Sequence, residues 1–199
     1  VEPKFASVCP FANDRAAVLR GDGFGSLNIN IYEDIYNARG GFFSYIDKDG
    51  KIVIDSLFSG AGLFESGIAP AAVGINQGVE KPDKWGCVTA DGKFAMKPEF
   101  NAVQAASEEC AAVQFGTWKN IGQSCRSWIP GKWGYINLSG KKIINGQFDR
   151  ADRFSGGMAG VLVDGKWGFI DKRGKVLISP AFEACGEFHE ELAPVYLSK

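Results

Sequence analysis

From Trp167 to Asp171 the chain alternates Trp, Phe and Asp with Gly and Ile, which is the two-residue period of a β-strand. Lys172-Arg173-Gly174 follows as a turn whose glycine can take the positive φ that closes a short hairpin. Lys175 to Ile178 is aliphatic and β-branched, and reads as the return strand. Three upstream stretches keep the same order: Lys132-Trp133-Gly134-Tyr135-Ile136, Lys84-Trp85-Gly86-Cys87-Val88 and, with Phe in the Trp slot, Phe43-Ser44-Tyr45-Ile46. In all four the turn glycine (Gly50, Gly92, Gly140, Gly174) falls seven residues after the aromatic anchor, so a single pairing register serves every copy. Trp85, Trp133 and Trp167 are therefore expected in equivalent core positions.

A second apolar pattern follows each hairpin. It reads Phe182-x-x-Cys185-x-x-Phe188 and then Ala193-x-Val195, with counterparts at Phe148/Ala151/Phe154, Phe100/Val103/Ala106, Phe58/Ala61/Phe64 and Phe5/Val8/Phe11. Apolar residues three apart predict one tight helical or 3₁₀ turn, too short to be stable alone. The Ala-x-Val segment alternates as a strand. No unit of this size buries its own apolar face, so the chain reads as all-β: tandem repeats of a β-hairpin plus a short helical turn, about four and a half units stacked into one array. A single domain over 1–199 is expected, with a half-unit at 1–18, units at 41–73, 83–113, 131–163 and 165–199, and insertions at 19–40, 74–82 and 114–130. If the protein starts at Val1, the leading half-unit has to cap the array or pair with the last unit to close it.

These runs resemble the WG-repeat family, named for its Trp-Gly pair. The likeness rests on the Lys-Trp-Gly-aromatic-Ile run, the Asp-x-x-Gly-Lys turn, the Pro-x-Phe element and the Ala-x-Val strand in fixed order, and it covers almost the whole chain. Phe43-Ser44 departs from Trp-Gly, and Ser56 and Gly146 stand where the family places Pro, which suggests looser constraint on the first full unit. The resemblance implies a bacterial β-rich interaction module, often exported and so periplasmic or beyond rather than cytoplasmic, and it transfers no catalytic residues.

Spacing adds a functional clue. The anchors lie 42, 48 and 34 residues apart, yet each precedes its following Phe by 15. All the variation enters between the Ala-x-Val strand and the next anchor. Insertions at one structural joint project from one edge, where repeat proteins often bind; loop length at such a joint is also cheap in entropy, so tolerance alone accounts for it equally well. The first insertion holds Leu27, Ile29 and Ile31 in alternation and predicts an extra strand. Its Gly21-Asp22-Gly23-Phe24-Gly25 lacks the Lys-Ser/Thr and helix of a phosphate loop, so a flexible turn is expected. The second, from Gly74 to Asp83, reads as a plain polar loop. The third holds Phe115, Trp118, Lys119, Ile121, Arg126 and Trp128, and these six are the candidate partner-binding residues, because an apolar loop folds back on the core or awaits a partner.

Composition narrows the partner. The formal net charge is −1 with both signs interspersed, which leaves no electrostatic footprint for nucleic acid, and no apolar run approaches the ~20 residues of a membrane span. His189 is the only histidine and falls in an expected turn, so no nucleophilic pair is built on it. Asp47-Lys48-Asp49-Gly50 lacks the distal Glu of a calcium loop, Glu108-Glu109 and Glu190-Glu191 read as solvated turn charges, and the sequon Asn137-Leu138-Ser139 lies in a repeat turn. No two of the five cysteines have zinc-site spacing. They read as small buried hydrophobes, with a Cys110–Cys125 disulfide as the alternative in an oxidising compartment. No catalytic set, cofactor or metal is expected. The function expected is a non-enzymatic protein-interaction module, with an inhibitor or immunity-type protein acting on a toxin or effector as one form of it. The alternative is a carbohydrate or cell-wall binder that stacks sugars on its aromatic residues; an enzyme ranks last.

Overall fold

The computed structural model describes residues 5–21, 27–30, 35–38, 41–74, 84–120, 126–188 and 192–197. They fall into two compact units, Val1–Ala105 and Ala106–Lys199. Unit 1 holds β1 (Ser7–Val8), β2 (Ala16–Arg20), β3 (Leu27–Asn30), β4 (Ile35–Ala38), β5 (Phe42–Ile46), β6 (Ile52–Phe58), β7 (Gly60–Gly62), β8 (Ile68–Val73), β9 (Lys84–Thr89), β10 (Phe94–Phe100) and β11 (Ala102–Val103). Unit 2 holds β12 (Cys110–Asn120), β13 (Arg126–Asn137), β14 (Lys142–Phe148), β15 (Arg150–Ala151), β16 (Met158–Val163), β17 (Lys166–Asp171), β18 (Val176–Phe182), β19 (Ala184–Cys185) and β20 (Val195–Tyr196).

The four hairpins form as their alternation predicts. At the turns, Asp47 Oδ1 accepts the N–H groups of Asp49 and Lys51 at 3.1 and 2.9 Å, Asn137 Oδ1 those of Ser139 and Lys141 at 3.1 and 2.8 Å, and Asp171 Oδ1 those of Arg173 and Lys175 at 2.9 and 2.8 Å. The side chain supplies the acceptor that the reversing backbone lacks. The turn glycines sit at φ +75° to +81°, where a Cβ is strained. Asp47 and Asn137 are thus turn formers.

The glycine after each tryptophan has a different cause. Each return strand carries an irregularity that brings it over the anchor strand. A Cβ on Gly168 would stand 2.6 Å from the Ile178 carbonyl oxygen, and on Gly86 or Gly134 it would press still closer on the Met96 or Ile144 carbonyl. Ser44, the exception, is fully buried in the first hairpin.

No helical turn occurs among the described residues, which corrects the reading of the Phe-x-x-Ala-x-x-Phe element. That element is a two- or three-residue strand pairing antiparallel with the Ala-x-Val strand: Ala61↔Ala71, Ala151↔Val161 and Cys185↔Val195. Its backbone bonds run to that neighbour, as in Asp149 N–H to Leu162 O at 2.8 Å and Asp152 N–H to Gly160 O at 2.9 Å. The spacing of three arises because the chain turns a corner after the first Phe and again at the second. Two residues at positive φ then reverse it: Asn13-Asp14, Ser66-Gly67, Glu108-Glu109 and Gly156-Gly157.

Sheets and sequence repeats are out of phase by half a unit. Unit 1 contains a sheet in the order β1-β2-β5-β6 and a second in the order β10-β9-β8-β7-β4-β3; unit 2 contains β12-β13-β14 in succession, then β15-β16-β17-β18, then β19-β20. Each hairpin therefore pairs with the Ala-x-Val strand that precedes it. The leading half-unit supplies β1 and β2 of the first sheet. The first insertion is also spent within the fold: β3 and β4 make a hairpin, and β4 pairs with β7 through Tyr36↔Ala61. Ile31 lies outside the described residues, as do Gly23, Phe24 and 75–83 of the second insertion.

Within each unit, one contact recurs between successive sheets. The residue two after the anchor packs on the second Phe of the following element: Tyr45 on Phe64 at 5.0 Å, Tyr135 on Phe154 at 4.7 Å and Phe169 on Phe188 at 4.9 Å between ring centroids. The tyrosine hydroxyls donate onward, Tyr45 to Gly62 O at 3.0 Å and Tyr135 to Asp152 O at 2.7 Å. Ser107 and Ser155 each donate to the carbonyl of the next such Phe at 2.6 Å, and the Asn13 amide does so at 2.7 Å.

Candidate functional site

Three of the four pairings between an Ala-x-Val strand and an anchor strand are short. They end at Arg20↔Phe42, Val73↔Lys84 and Val163↔Lys166. The fourth continues. From Cys110↔Asn137 to Gln114↔Trp133 it matches the others, and beyond a break it runs on through Gly116↔Pro130, Thr117↔Ile129, Trp118↔Trp128, Lys119↔Ser127 and Asn120↔Arg126. The third insertion is thus a two-stranded ribbon rather than an irregular loop. Five further pairs at about 3.3 Å per residue carry it roughly 16 Å past the point where the other pairings stop.

At the root of the ribbon, Gly131 and Lys132 oppose the single residue Phe115, which is a β-bulge. The backbones close so tightly there that a Cβ on Gly131 would collide with the Phe115 carbonyl. The half-buried Phe115 ring lies over Gly146 of β14, where an added Cβ would stand 2.6 Å from Cδ2. The Lys142 ammonium sits 4.7 Å from the centroid of the same ring. Phe115 therefore belongs to the root. Trp118 and Trp128 are directly opposite in register and share one ribbon face, with Asn120↔Arg126 two pairs further along the same face; Lys119 occupies the other face, opposite Ser127. Ile129, which sequence reasoning left out of the candidates, is 39 % exposed on the face of Lys119. Ile121 lies outside the described residues.

The bridge considered between Cys110 and Cys125 is not supported. Cys110 is a buried free thiol at the foot of β12. Ten residues of strand, roughly 33 Å, separate it from Asn120, which pairs with Arg126, whereas a disulfide needs Cα atoms within about 7 Å. Cys125 itself lies outside the described residues. Cys9, Cys87 and Cys185 are also free. Burial pushes the thiols up, Cys110 to about 11 and Cys9 and Cys185 to about 12, so none supplies a thiolate nucleophile near neutral pH.

Other titratable groups do structural work. Burial raises the Asp152 carboxyl to about 6 against the opposing pull of Arg150, with Glu187 adding to the rise; its Oδ2 lies 3.9 Å from Cys185 Sγ. Arg153 pairs with Glu187 at 3.1 Å. Glu108, read as a solvated turn charge, is engaged: its carboxylate accepts the Gly157 N–H at 3.2 Å and pairs with Lys172 at 3.0 Å. His189, Glu190 and Glu191 lie outside the described residues. Among the described residues no group of three or more His, Cys, Asp or Glu is placed to hold a metal.

Burial also decides what the anchor rings can do. Trp85 and Trp133 are 6 % and 5 % exposed and Trp167 is half-buried, so the first two offer no open face for a sugar to stack on. Comparison with known proteins yields one finding. The family model described as "WG containing repeat" matches residues 43–74, 85–116, 133–167 and 167–198, so each match begins at an anchor of the hairpins above. No curated protein and no solved structure matches the chain.

Proposed function

The chain belongs to the WG-repeat family, and from that premise we propose that it is a non-enzymatic protein-binding module whose recognition element is the β12–β13 ribbon. One observation carries the reading: a single pairing of four outgrows its sheet, and the segment beyond sets Trp118 opposite Trp128, with Arg126 at the far end. Trp and Arg are enriched in the few interface residues that carry most binding energy. A two-stranded ribbon presents them with less ordering entropy to lose than an irregular loop of equal length. Within this reading the module acts as a bacterial exported inhibitor or immunity-type protein that blocks a toxin or effector, because a repeat scaffold with one protruding ribbon suits occlusion of a partner's site.

The test compares the intact chain with one in which 117–129 is replaced by a two-residue Asn-Gly turn. Both are used to capture proteins from the native source for identification by mass spectrometry. The reading expects a protein retained by the intact chain and lost from the shortened one, with the melting temperature of the rest kept within a few degrees. Equal capture by both chains overturns it. A glycan array run on the same pair tests the carbohydrate alternative: sugar binding that survives removal of the ribbon favours that class instead.

A further inference from the structure

Thirteen residues after its anchor, each return strand carries a residue that is proline in two hairpins and small in the other two: Ser56, Pro98, Gly146 and Pro180. Across the sheet, one strand removed, the residue two after the valine slot also varies: Arg20, Val73, Phe115 and Val163. Compared sheet by sheet, the sets are complementary in size. The long residues Arg20 and Phe115 share sheets with Ser56 and Gly146, and the two valines share sheets with the two prolines. In the first sheet the Arg20 guanidinium reaches Asp55, next to Ser56, and lies 3.4 Å from Ser44 Oγ. In the ribbon-bearing sheet the contact is direct, because the ring occupies the space in which a side chain at position 146 would begin. At Gly146 the departure from proline is therefore matched to the strand across the sheet.

We infer that Phe115 is a positioning residue for the ribbon and that Gly146 is its socket. The bulge at Gly131-Lys132 bends the strand pair, but a bend through glycine leaves the angle soft. The ring fixes it. One side of Phe115 rests on the bare backbone of β14, the Lys142 ammonium stands 4.7 Å from its centroid, and a Cβ at position 146 would also approach the Lys132 carbonyl oxygen to 3.0 Å. Ring, bulge and socket form one joint, and this joint holds the ribbon in a defined direction from the sheet. That the direction matters for recognition rests on the function proposed above; that Phe115 sets it does not.

Amide hydrogen exchange read by mass spectrometry on the full chain tests the joint without any partner. Gly146→Ala places a methyl in the ring's space. The expected result is exchange at least tenfold faster in peptides covering 116–119 and 127–129, with β17 unchanged. In a Phe115→Ala background, where the ribbon is already released, adding Gly146→Ala changes those peptides less than twofold. Phe115→Leu, which stays apolar but lacks the ring's reach, serves as a second background should Phe115→Ala fold poorly. Unchanged ribbon exchange in Gly146→Ala overturns the inference. So does an equal effect with and without the ring, or loosening spread evenly through unit 2. Should the exchange results hold while the shortened chain still captures its partner, the joint stands and the recognition reading falls.

Discussion

Truncating Trp133 tests whether the rings that define the repeat are core or contact residues. The ring is 5 % exposed, and its strand pairs through it with Gln114 on one side and Phe148 on the other. An aromatic side chain of this size withdraws about 150–250 Å² from water, which at about 25 cal/mol per Å² is roughly 4–6 kcal/mol. Alanine recovers a little of that, and the unfolded chain already buries some, so Trp133→Ala should cost about 3–5 kcal/mol. Trp167 provides the internal control. It occupies the equivalent position opposite Leu162 and Phe182 in the same unit but is less deeply buried, so its truncation should cost less. Guanidinium unfolding followed by far-UV circular dichroism reads both, since neither measurement depends on the removed fluorophore. The midpoints should move with the slope unchanged. A loss below about 1 kcal/mol for Trp133→Ala, or a larger loss at Trp167 than at Trp133, would refute the reasoning.

Two further outcomes follow from buried titratable groups. Burial raises the Asp152 carboxyl from 3.8 to about 6 in the folded chain, so between these values the native state binds more protons than the unfolded one. Stability of unit 2 should fall as pH rises through that window, by about 2–3 kcal/mol at most, and Asp152→Asn should flatten the profile in urea melts at pH 4, 5, 6 and 7; a profile that rises there, or is untouched by the substitution, counts against the burial of this carboxyl. Cys9, Cys87, Cys110 and Cys185 should resist alkylation at pH 7.5 in the native chain and react fully in denaturant, with Cys185 the fastest of the four because it is only partly buried. Peptide mapping checks this, and rapid native labelling of Cys87, which is fully buried, would contradict the packing of unit 1.

What the sequence determined by itself was local. The alternation around each anchor, an Asp, Asn or Thr at the start of each turn and a glycine at its end specify a hairpin within some sixteen residues, and all four hairpins form. The burial of Trp85 and Trp133 was legible for the same reason, because an anchor repeated in one slot faces the same way each time. Pairing partners were not legible. A spacing of three between apolar residues fits a helical turn and a short strand with a corner at each end equally well. Only the hydrogen bonds of Asp149 and Asp152 to β16 decide between them, and those bonds connect residues that local pattern does not relate. The fate of the insertions was hidden likewise: one joint in the sequence leads to a hairpin on a sheet edge at β3–β4 and to an extended β12–β13 pairing, because the partner strand is chosen in the fold and not along the chain. Gly146 shows the limit most plainly. Along the chain it is a lapse from proline, and in the fold it is the seat of a ring thirty-one residues earlier, a contact that exists only once the sheet has brought β12 and β14 to either side of β13.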